Sequence, residues 1–143
     1  MRYLVETFIV GALRRGRSVE QFLGPIGSPE RPGVRYAEVR AASTSYEVYV
    51  HAVEDVGHEN FLDLDVFPPF DQDSKEEEFG QLLGKAEDPQ GALVLAEKCT
   101  GAVRGRWVNQ GVAQDGYRDF VRADRPSSAS PDGHPWPGPH TGP

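Results

Sequence analysis

Apolar residues near the start of the chain recur with the period of a helix. Residues 3–15 carry them at i, i+1, i+4, i+5, i+8 and i+9, which places them on one helical face. They are Leu4, Val5, Phe8, Ile9, Ala12 and Leu13. Arg14 and Arg15 then complement the carbonyl end of the helix dipole, and Gly16 supplies a stop. The pattern predicts a first helix over residues 3–15.

A second, shorter helix is expected directly afterwards. Ser18 and Gln21 have the spacing of a capping box, which predicts a helix over residues 19–23. Gly24 and Pro25 end it. Residues 24–33 contain three prolines and read as a loop.

In the middle of the chain, apolar and polar side chains alternate with a period of two residues. Residues 34–41 and 46–53 are rich in β-branched and aromatic side chains and predict two strands joined by a short turn. Residues 61–67 predict a third strand, with Leu62, Leu64 and Val66 on one face. Pro68 and Pro69 stop that strand, because proline donates no ladder hydrogen bond.

Helical signals return after the strands. Ser74 and Glu77 form another capping box, opening a helix through Leu83, and Asp88 followed by Pro89 opens the next. A last helix over residues 114–123 carries Tyr117, Phe120 and Val121 on one face. Residues 100–112 give no clear pattern, although Trp107 is expected to be a buried anchor. The order predicts an α+β fold, a small antiparallel three-stranded meander flanked by N-terminal and C-terminal helices.

The composition divides the chain into one domain and a tail. Residues 125–143 are rich in proline, glycine and serine and contain almost no aliphatic side chains, so we expect them to be disordered. Residues 1–124 have the usual size of a single domain. The one cysteine, Cys99, allows no intrachain disulfide, and its apolar surroundings predict a packed core thiol.

The apolar runs are too short to cross a membrane. The N-terminal apolar stretch is interrupted by Glu6, and its arginines follow the stretch, the reverse of a secretory signal. We therefore expect a cytoplasmic protein with no membrane contact.

The net charge of −7 is unevenly distributed along the 143 residues. Seven Arg and four Glu give residues 1–45 a charge of +3, and two Lys and thirteen acids give residues 46–96 a charge of −11. An acidic segment of this kind repels a phosphate backbone, so no nucleic-acid partner is expected. It attracts a basic protein instead.

Aromatic residues accompany this acidic segment, a combination that is typical of protein interfaces. The sequence therefore predicts a non-enzymatic module that binds a basic protein partner, for example a nuclease-type toxin. The expected binding residues are Tyr49, Phe61, Asp63, Asp65, Phe67, Phe70, Asp71 and Asp73.

Two other functions stay open. His51, His58, Asp63 and Asp65 could converge on a divalent metal in a small metal-dependent hydrolase, with Asp63 and Asp65 about 6.6 Å apart on one face of a strand. An accessory protein without a defined site is the other. The phosphate-binding, dinucleotide-binding and nucleophile-elbow motifs do not occur, so no cofactor and no triad chemistry is expected.

The segment YEVYVHAVEDVGHENFLDLDVFPPFD resembles the β-meander of small acidic bacterial proteins, including uncharacterised ones and immunity proteins of polymorphic toxin systems. The resemblance covers residues 34–73 and consists of strands ending in a Phe-Pro-Pro turn. It implies a similar fold and a similar acidic surface, and by itself it does not establish a function. It assigns no functional residues.

Overall fold

The computed structural model describes residues 2–70 and 80–126. The fold is α+β, as the sequence predicts, but the antiparallel sheet has five strands instead of three. The strand order across the sheet is β4-β3-β2-β1-β5. The elements in chain order are α1 (Glu6–Arg14), β1 (Val19–Ser28), β2 (Arg31–Ala41), β3 (Tyr46–Glu54), β4 (Gln81–Ala86), α2 (Pro89–Thr100), β5 (Val108–Asn109) and α3 (Ala113–Arg122).

The predicted central hairpin is confirmed. β2 and β3 pair from Gly33 opposite Glu54 to Ala41 opposite Tyr46. Alternate positions point to opposite faces of the sheet, since side chains in a strand have a period of two. The predicted first helix is confirmed over Glu6–Arg14, but Val5 and Phe8 are 59% and 64% exposed and do not belong to its buried face.

The predictions for residues 19–33 are wrong. Instead of a helix and a loop, these residues form β1 and the start of β2. A tight turn at residues 29–30 joins these two strands. Residues 19–24 are all buried, because both faces of the sheet are covered at this strand. A strand buried on both faces loses the alternation by which a strand is recognised.

The predicted strand over residues 61–67 is also wrong. Asp63 accepts a hydrogen bond from the Asp65 backbone N–H and opens a 3-10 turn, Leu64–Val66. The pairing with β3 comes later, where Pro69 lies opposite Val53. The N–H groups of Glu54 and Phe70 donate the flanking hydrogen bonds, so the missing N–H of Pro69 costs nothing there.

The helix predicted to run through Leu83 is wrong at its end, because residues 81–83 belong to β4. Its predicted start at Ser74 lies outside the described residues. The next helix, α2, begins as predicted, with the Asp88 carboxylate accepting a 2.6 Å hydrogen bond from Gly91 N–H and Pro89 in the first turn.

The sheet separates two hydrophobic cores. The first core lies between the sheet and helices α1 and α2, and its buried residues include Ile9, Leu13, Val19, Ala37, Val39, Val48, Leu93, Ala96 and Trp107. The second core lies on the other face, beneath α3 and the chain around the 3-10 turn. Its members are Phe22, Val34, Tyr36, Val53, Leu64, Phe67, Ala113, Tyr117 and Phe120.

Trp107 is completely buried, which confirms the predicted anchor. Cys99 is exposed, so the prediction of a core thiol is wrong. The buried stripe of α2 runs through Ala92, Leu93, Ala96 and Thr100, and position 99 falls outside it. In the described part of the chain, no helix is long and apolar enough to cross a membrane. Residues 127–143 of the predicted tail lie outside the described residues.

Candidate functional site

Four residues around the 3-10 turn form what we call the loop surface: Phe61, Asp63, Asp65 and Val66. All four are exposed, Phe61 by 37% and Val66 by 60%. The loop is anchored from below, because Leu64 and Phe67 are buried in the second core. A rigid loop therefore presents two apolar side chains and two carboxylates to solvent.

The remaining residues of the predicted binding set lie elsewhere. Phe67 is 4% exposed and packs its ring against Phe61 and Tyr117, at centroid distances of 5.0 and 5.4 Å, so it supports the loop from inside. Phe70 is half-buried beneath the guanidinium of Arg31. Predicted residues Asp71 and Asp73 lie outside the described residues.

Tyr49 lies on the sheet and not on the loop. Its ring is covered by the Arg40 guanidinium, 3.9 Å from the ring centroid. Its hydroxyl donates a 3.0 Å hydrogen bond to Glu47. Tyr49 is half-buried and so remains within reach of solvent.

Part of the acidic segment is neutralised within the fold. Arg125 pairs with Asp55 at 2.8 Å, and Arg122 pairs with Glu59 at 2.6 Å. These arginines come from α3 and the residues after it, about 60–70 positions away in sequence. The charge counted along the sequence therefore overstates the charge on the surface.

Asp63 and Asp65 form no ion pair with any residue of the described part. Each is held by hydrogen bonds instead. Asp63 Oδ1 accepts from the Asp65 N–H and, at 3.3 Å, from the Gln114 amide. Asp65 Oδ1 accepts a 3.1 Å hydrogen bond from the Tyr36 hydroxyl. These hydrogen bonds hold the two carboxylates in fixed positions, and no cation of the described residues pairs with them.

Behind the loop surface lies a polar cluster that the sequence analysis did not identify. We define it as Glu20, Tyr36, Glu38, Arg40 and His51. Glu20 faces Glu38 across β1 and β2, and Tyr36 faces His51 across β2 and β3. Directly opposite residues on one face of an antiparallel pair lie within side-chain contact. Glu20 and Glu38 are each only 6% exposed.

Glu38 is the centre of the polar cluster. His51 Nε2 lies 2.7 Å from Glu38 Oε1, and Arg40 donates two hydrogen bonds to the same carboxylate, at 2.8 and 3.1 Å. Desolvation alone would raise the pKa of Glu38, but hydrogen bonds from His51 and Arg40, with their charges, outweigh it and lower the pKa to about 2. Glu38 is therefore ionised at neutral pH.

Glu20 has the opposite environment. Burial raises its pKa, the neighbouring charges of Glu38 and Asp65 raise it further, and hydrogen bonds from Ala113 and Gly111 N–H only partly oppose this. Burial also raises the pKa of Tyr36, and the charge of Asp65 adds to the effect. The Tyr36 hydroxyl therefore stays protonated and acts as a donor.

His51 is fixed between neighbours. Its ring stacks on the Tyr36 ring, with centroids 4.4 Å apart and an angle of 6° between the planes. The Gly80 backbone also packs against the ring, since an added Cβ there would lie 2.7 Å from Cε1. His58, by contrast, accepts a backbone hydrogen bond from Asn60 and packs near Phe61.

The alternative metal site gains no support from these contacts. His51 and His58 have separate partners, and Asp63 and Asp65 bond to Gln114 and Tyr36. Asp63 and Asp65 do not share the face of a strand, because they belong to a 3-10 turn. Among residues 2–70 and 80–126, no group of three or more His, Cys, Asp or Glu is arranged to hold a metal ion.

No protein-family model matches the chain, and comparisons with curated proteins and with solved structures find no match.

Proposed function

We propose that the chain is a cytoplasmic, non-enzymatic module that binds a basic protein through the loop surface. One observation carries this proposal: Phe61 and Val66 are exposed beside Asp63 and Asp65, which form no ion pair with any described residue. Exposed apolar side chains supply contact area in an interface, and adjacent charges supply orientation and faster association.

The way the loop is anchored favours binding. Leu64 and Phe67 are held in the second core, and the Asp63 side chain closes the turn through the Asp65 N–H. A loop that is already ordered loses less conformational entropy when it binds. The fixed carboxylates therefore suit a partner whose basic groups are also fixed.

The form of this function that we favour is inhibition of a basic enzyme, as in an immunity or antitoxin protein. An enzyme that acts on nucleic acid needs a basic cleft, and a rigid acidic loop is complementary to it. The net charge of −7 supports this form, because it attracts a basic partner at long range. A nuclease-type toxin is the partner we expect.

Charge reversal tests the loop surface. We expect the double change Asp63→Arg and Asp65→Arg to weaken partner binding at least ~10-fold, because two attractive charges become repulsive. Glu87→Arg is the control for charge reversal outside the loop surface, since Glu87 is exposed and lies beyond β4. Asp63→Asn with Asp65→Asn removes both charges but keeps side-chain oxygens for the loop hydrogen bonds, and it should also weaken binding. The measurement is capture of the partner from native lysate at low salt, followed by titration with the purified partner.

The salt dependence gives a second readout. Association through exposed charges should slow as ionic strength rises, because the Debye length falls from about 10 Å at 0.1 M to about 3 Å at 1 M. A partner bound equally well by the double variant, the Glu87→Arg control and the unaltered chain would contradict the proposed surface.

A further inference from the structure

Glu20 differs from the other carboxylates of the described residues. Many of them are in ion pairs: Glu6, Glu38, Glu47, Asp55, Glu59, Glu97, Asp115 and Asp119. Glu20 forms no such pair, although more than nine-tenths of the residue is buried. Buried carboxylates are normally paired with a cation, because desolvation without one is costly.

The hydrogen bonds of Glu20 leave one of its oxygens unused. Oε1 accepts from Gly111 N–H at 2.7 Å and from Ala113 N–H at 3.2 Å, which holds the chain just before α3. Oε2 accepts no hydrogen bond from any described residue. The two backbone N–H groups require a side-chain oxygen at position 20. A glutamine amide would accept both hydrogen bonds without placing a charge in the interior.

The Tyr36 hydroxyl connects Glu20 to the loop surface. Tyr36 donates to Asp65 Oδ1. Glu20 lies diagonally across from Tyr36 in the β1–β2 ladder, because Glu20 faces Glu38 and Phe22 faces Tyr36, and diagonal neighbours on one face are within reach of long side chains. Glu38 is compensated by Arg40 and His51, whereas Glu20 and Asp65 have no ion-pair partner in the described residues. Of these two uncompensated carboxylates, the exposed Asp65 contacts the Tyr36 hydroxyl directly, and the buried Glu20 belongs to the neighbouring strand on the same face of the sheet.

We propose that Asp65, Tyr36 and Glu20 form a receptor site for a guanidinium group, an arginine side chain of the basic partner. The exposed Asp65 meets the group first, the Tyr36 hydroxyl contributes its oxygen, and the buried Glu20 supplies the second negative charge. This site rests on the proposed function and gives its partner a specific chemical feature.

The chemistry favours arginine over lysine. A guanidinium presents five N–H donors in a plane and is less strongly hydrated than an ammonium group, so it can approach separated carboxylates at a smaller desolvation cost. The ammonium group of lysine is a compact, strongly hydrated charge. Binding at the site should therefore discriminate between two cations of equal charge.

The site also predicts a pH dependence. Burial and the charges of Glu38 and Asp65 raise the pKa of Glu20, so the empty site takes up a proton more readily than an exposed glutamate does. A bound cation favours the ionised form. Affinity should therefore fall as the pH falls from 7 toward the pKa of Glu20, and binding in that range should release a proton.

The test uses the full chain and a defined probe, N-acetyl-L-arginine methylamide, with the matching lysine compound for comparison. Binding is followed by NMR titration of the ¹⁵N-labelled protein, in which the Gly111 and Ala113 amides report on Glu20. We expect saturable shifts at both amides with the arginine probe, and at least ~5-fold weaker binding of the lysine probe.

Two variants isolate the charges. Glu20→Gln keeps an oxygen for the Gly111 and Ala113 N–H groups and removes only the charge, and Asp65→Asn changes an exposed side chain, so both should fold. Each should weaken arginine binding at least ~5-fold. Glu87→Gln, at an exposed position outside the site, should leave it unchanged. Equal weakening by Glu87→Gln, no saturation, or equal affinity for both probes would overturn the site.

The same variants separate this site from the proposed function. A partner whose capture depends on Asp63 and Asp65, but whose affinity is unchanged in Glu20→Gln, overturns the arginine site and leaves the function standing. Saturable arginine binding that depends on Glu20 and Asp65, with no captured partner, supports the site and contradicts the function.

Discussion

Glu38 shows how a single buried carboxylate organises one face of this sheet. It accepts from His51 on β3 and from Arg40 on its own strand, and its pKa falls to about 2. The ordinary pKa of a glutamate in an unfolded chain is near 4.5. Because folding lowers the pKa, ionised Glu38 stabilises the fold above that value.

Replacement of Glu38 tests whether its ionised form stabilises the fold. Glu38→Gln should lower the free energy of unfolding at pH 7 by about 2–3 kcal/mol, since it removes the buried negative charge whose hydrogen bonds with Arg40 and His51 are strengthened by ionisation. The difference from the unaltered chain should shrink as the pH falls from about 4.5 to about 2, where Glu38 becomes protonated. Urea unfolding at a series of pH values measures it.

Asp115→Asn is the control for that series. Asp115 pairs with Arg118 at 3.8 Å on α3, and the two side chains are 41% and 33% exposed, so the pair should contribute under about 1 kcal/mol. An equal loss in both variants, or a Glu38→Gln difference that persists at pH 2, would contradict the stabilising role of the ionised Glu38.

The loop surface and α3 meet at Gly57. A Cβ at this position would lie 2.5 Å from the Phe61 carbonyl oxygen and from the Phe67 ring, and 2.7 Å from the Tyr117 ring. The Gly57 N–H also donates to the Tyr117 hydroxyl at 2.9 Å. Only glycine allows the loop and the helix to approach this closely.

We expect Gly57→Ala to lower the free energy of unfolding by about 2–3 kcal/mol through overpacking. The control is Gly105→Ala, because a Cβ at Gly105 would have no neighbour within 4 Å. Thermal or urea unfolding of the two variants measures the difference. Similar stabilities would show that the loop can move away from α3 without cost.

The helices and strands that the sequence predicted correctly have one buried face and one exposed face. α1, the β2–β3 hairpin and α3 were found because their period of 3.6 or two is visible, and α2 was found from the capping signal of Asp88 and Pro89. β1 was missed because both of its faces are buried, so no alternation of polar and apolar residues is visible. The spacing of Ser18 and Gln21 then predicted a helix instead. The 3-10 turn was read as a strand, because Leu62, Leu64 and Val66 alternate along the sequence although Val66 is 60% exposed.

The candidate site was predicted in part for the same reason. Phe61, Asp63 and Asp65 are exposed side chains of a local segment, and sequence alone placed them together. The polar cluster required the pairing of β1 with β2, and a helix assigned to residues 19–23 removed Glu20 from any position opposite Glu38. The ion pairs of Arg122 and Arg125 likewise depend on contacts distant in sequence.

In the whole molecule, one sheet separates two cores that share every central strand. The first core contains Trp107, and the second contains Phe22, Tyr117 and Phe120. Loss of either core would expose one face of the same sheet, so neither should survive alone.

This arrangement predicts a single cooperative unfolding transition. Trp107 fluorescence reports the first core, and the Tyr117 and Phe120 amide signals in NMR spectra of the ¹⁵N-labelled protein report the second. Both midpoints should coincide with the midpoint from far-ultraviolet circular dichroism. The experiment uses the Trp136→Phe variant, so that Trp107 is the sole tryptophan. Separate midpoints would show that the cores unfold independently.

The outer edge of β1 affects how copies of the chain meet at high concentration. β5 covers β1 only at Val19 and Glu20, so most of this edge has no strand beside it within the described residues. The ladder is irregular between Phe22 and Gly24, and Pro25 has no N–H to donate. An incoming strand would meet neither a regular spacing nor a full set of donors. This edge is therefore a poor template for strand addition, and fibril growth through it should be slower than growth through a flat, regularly spaced edge.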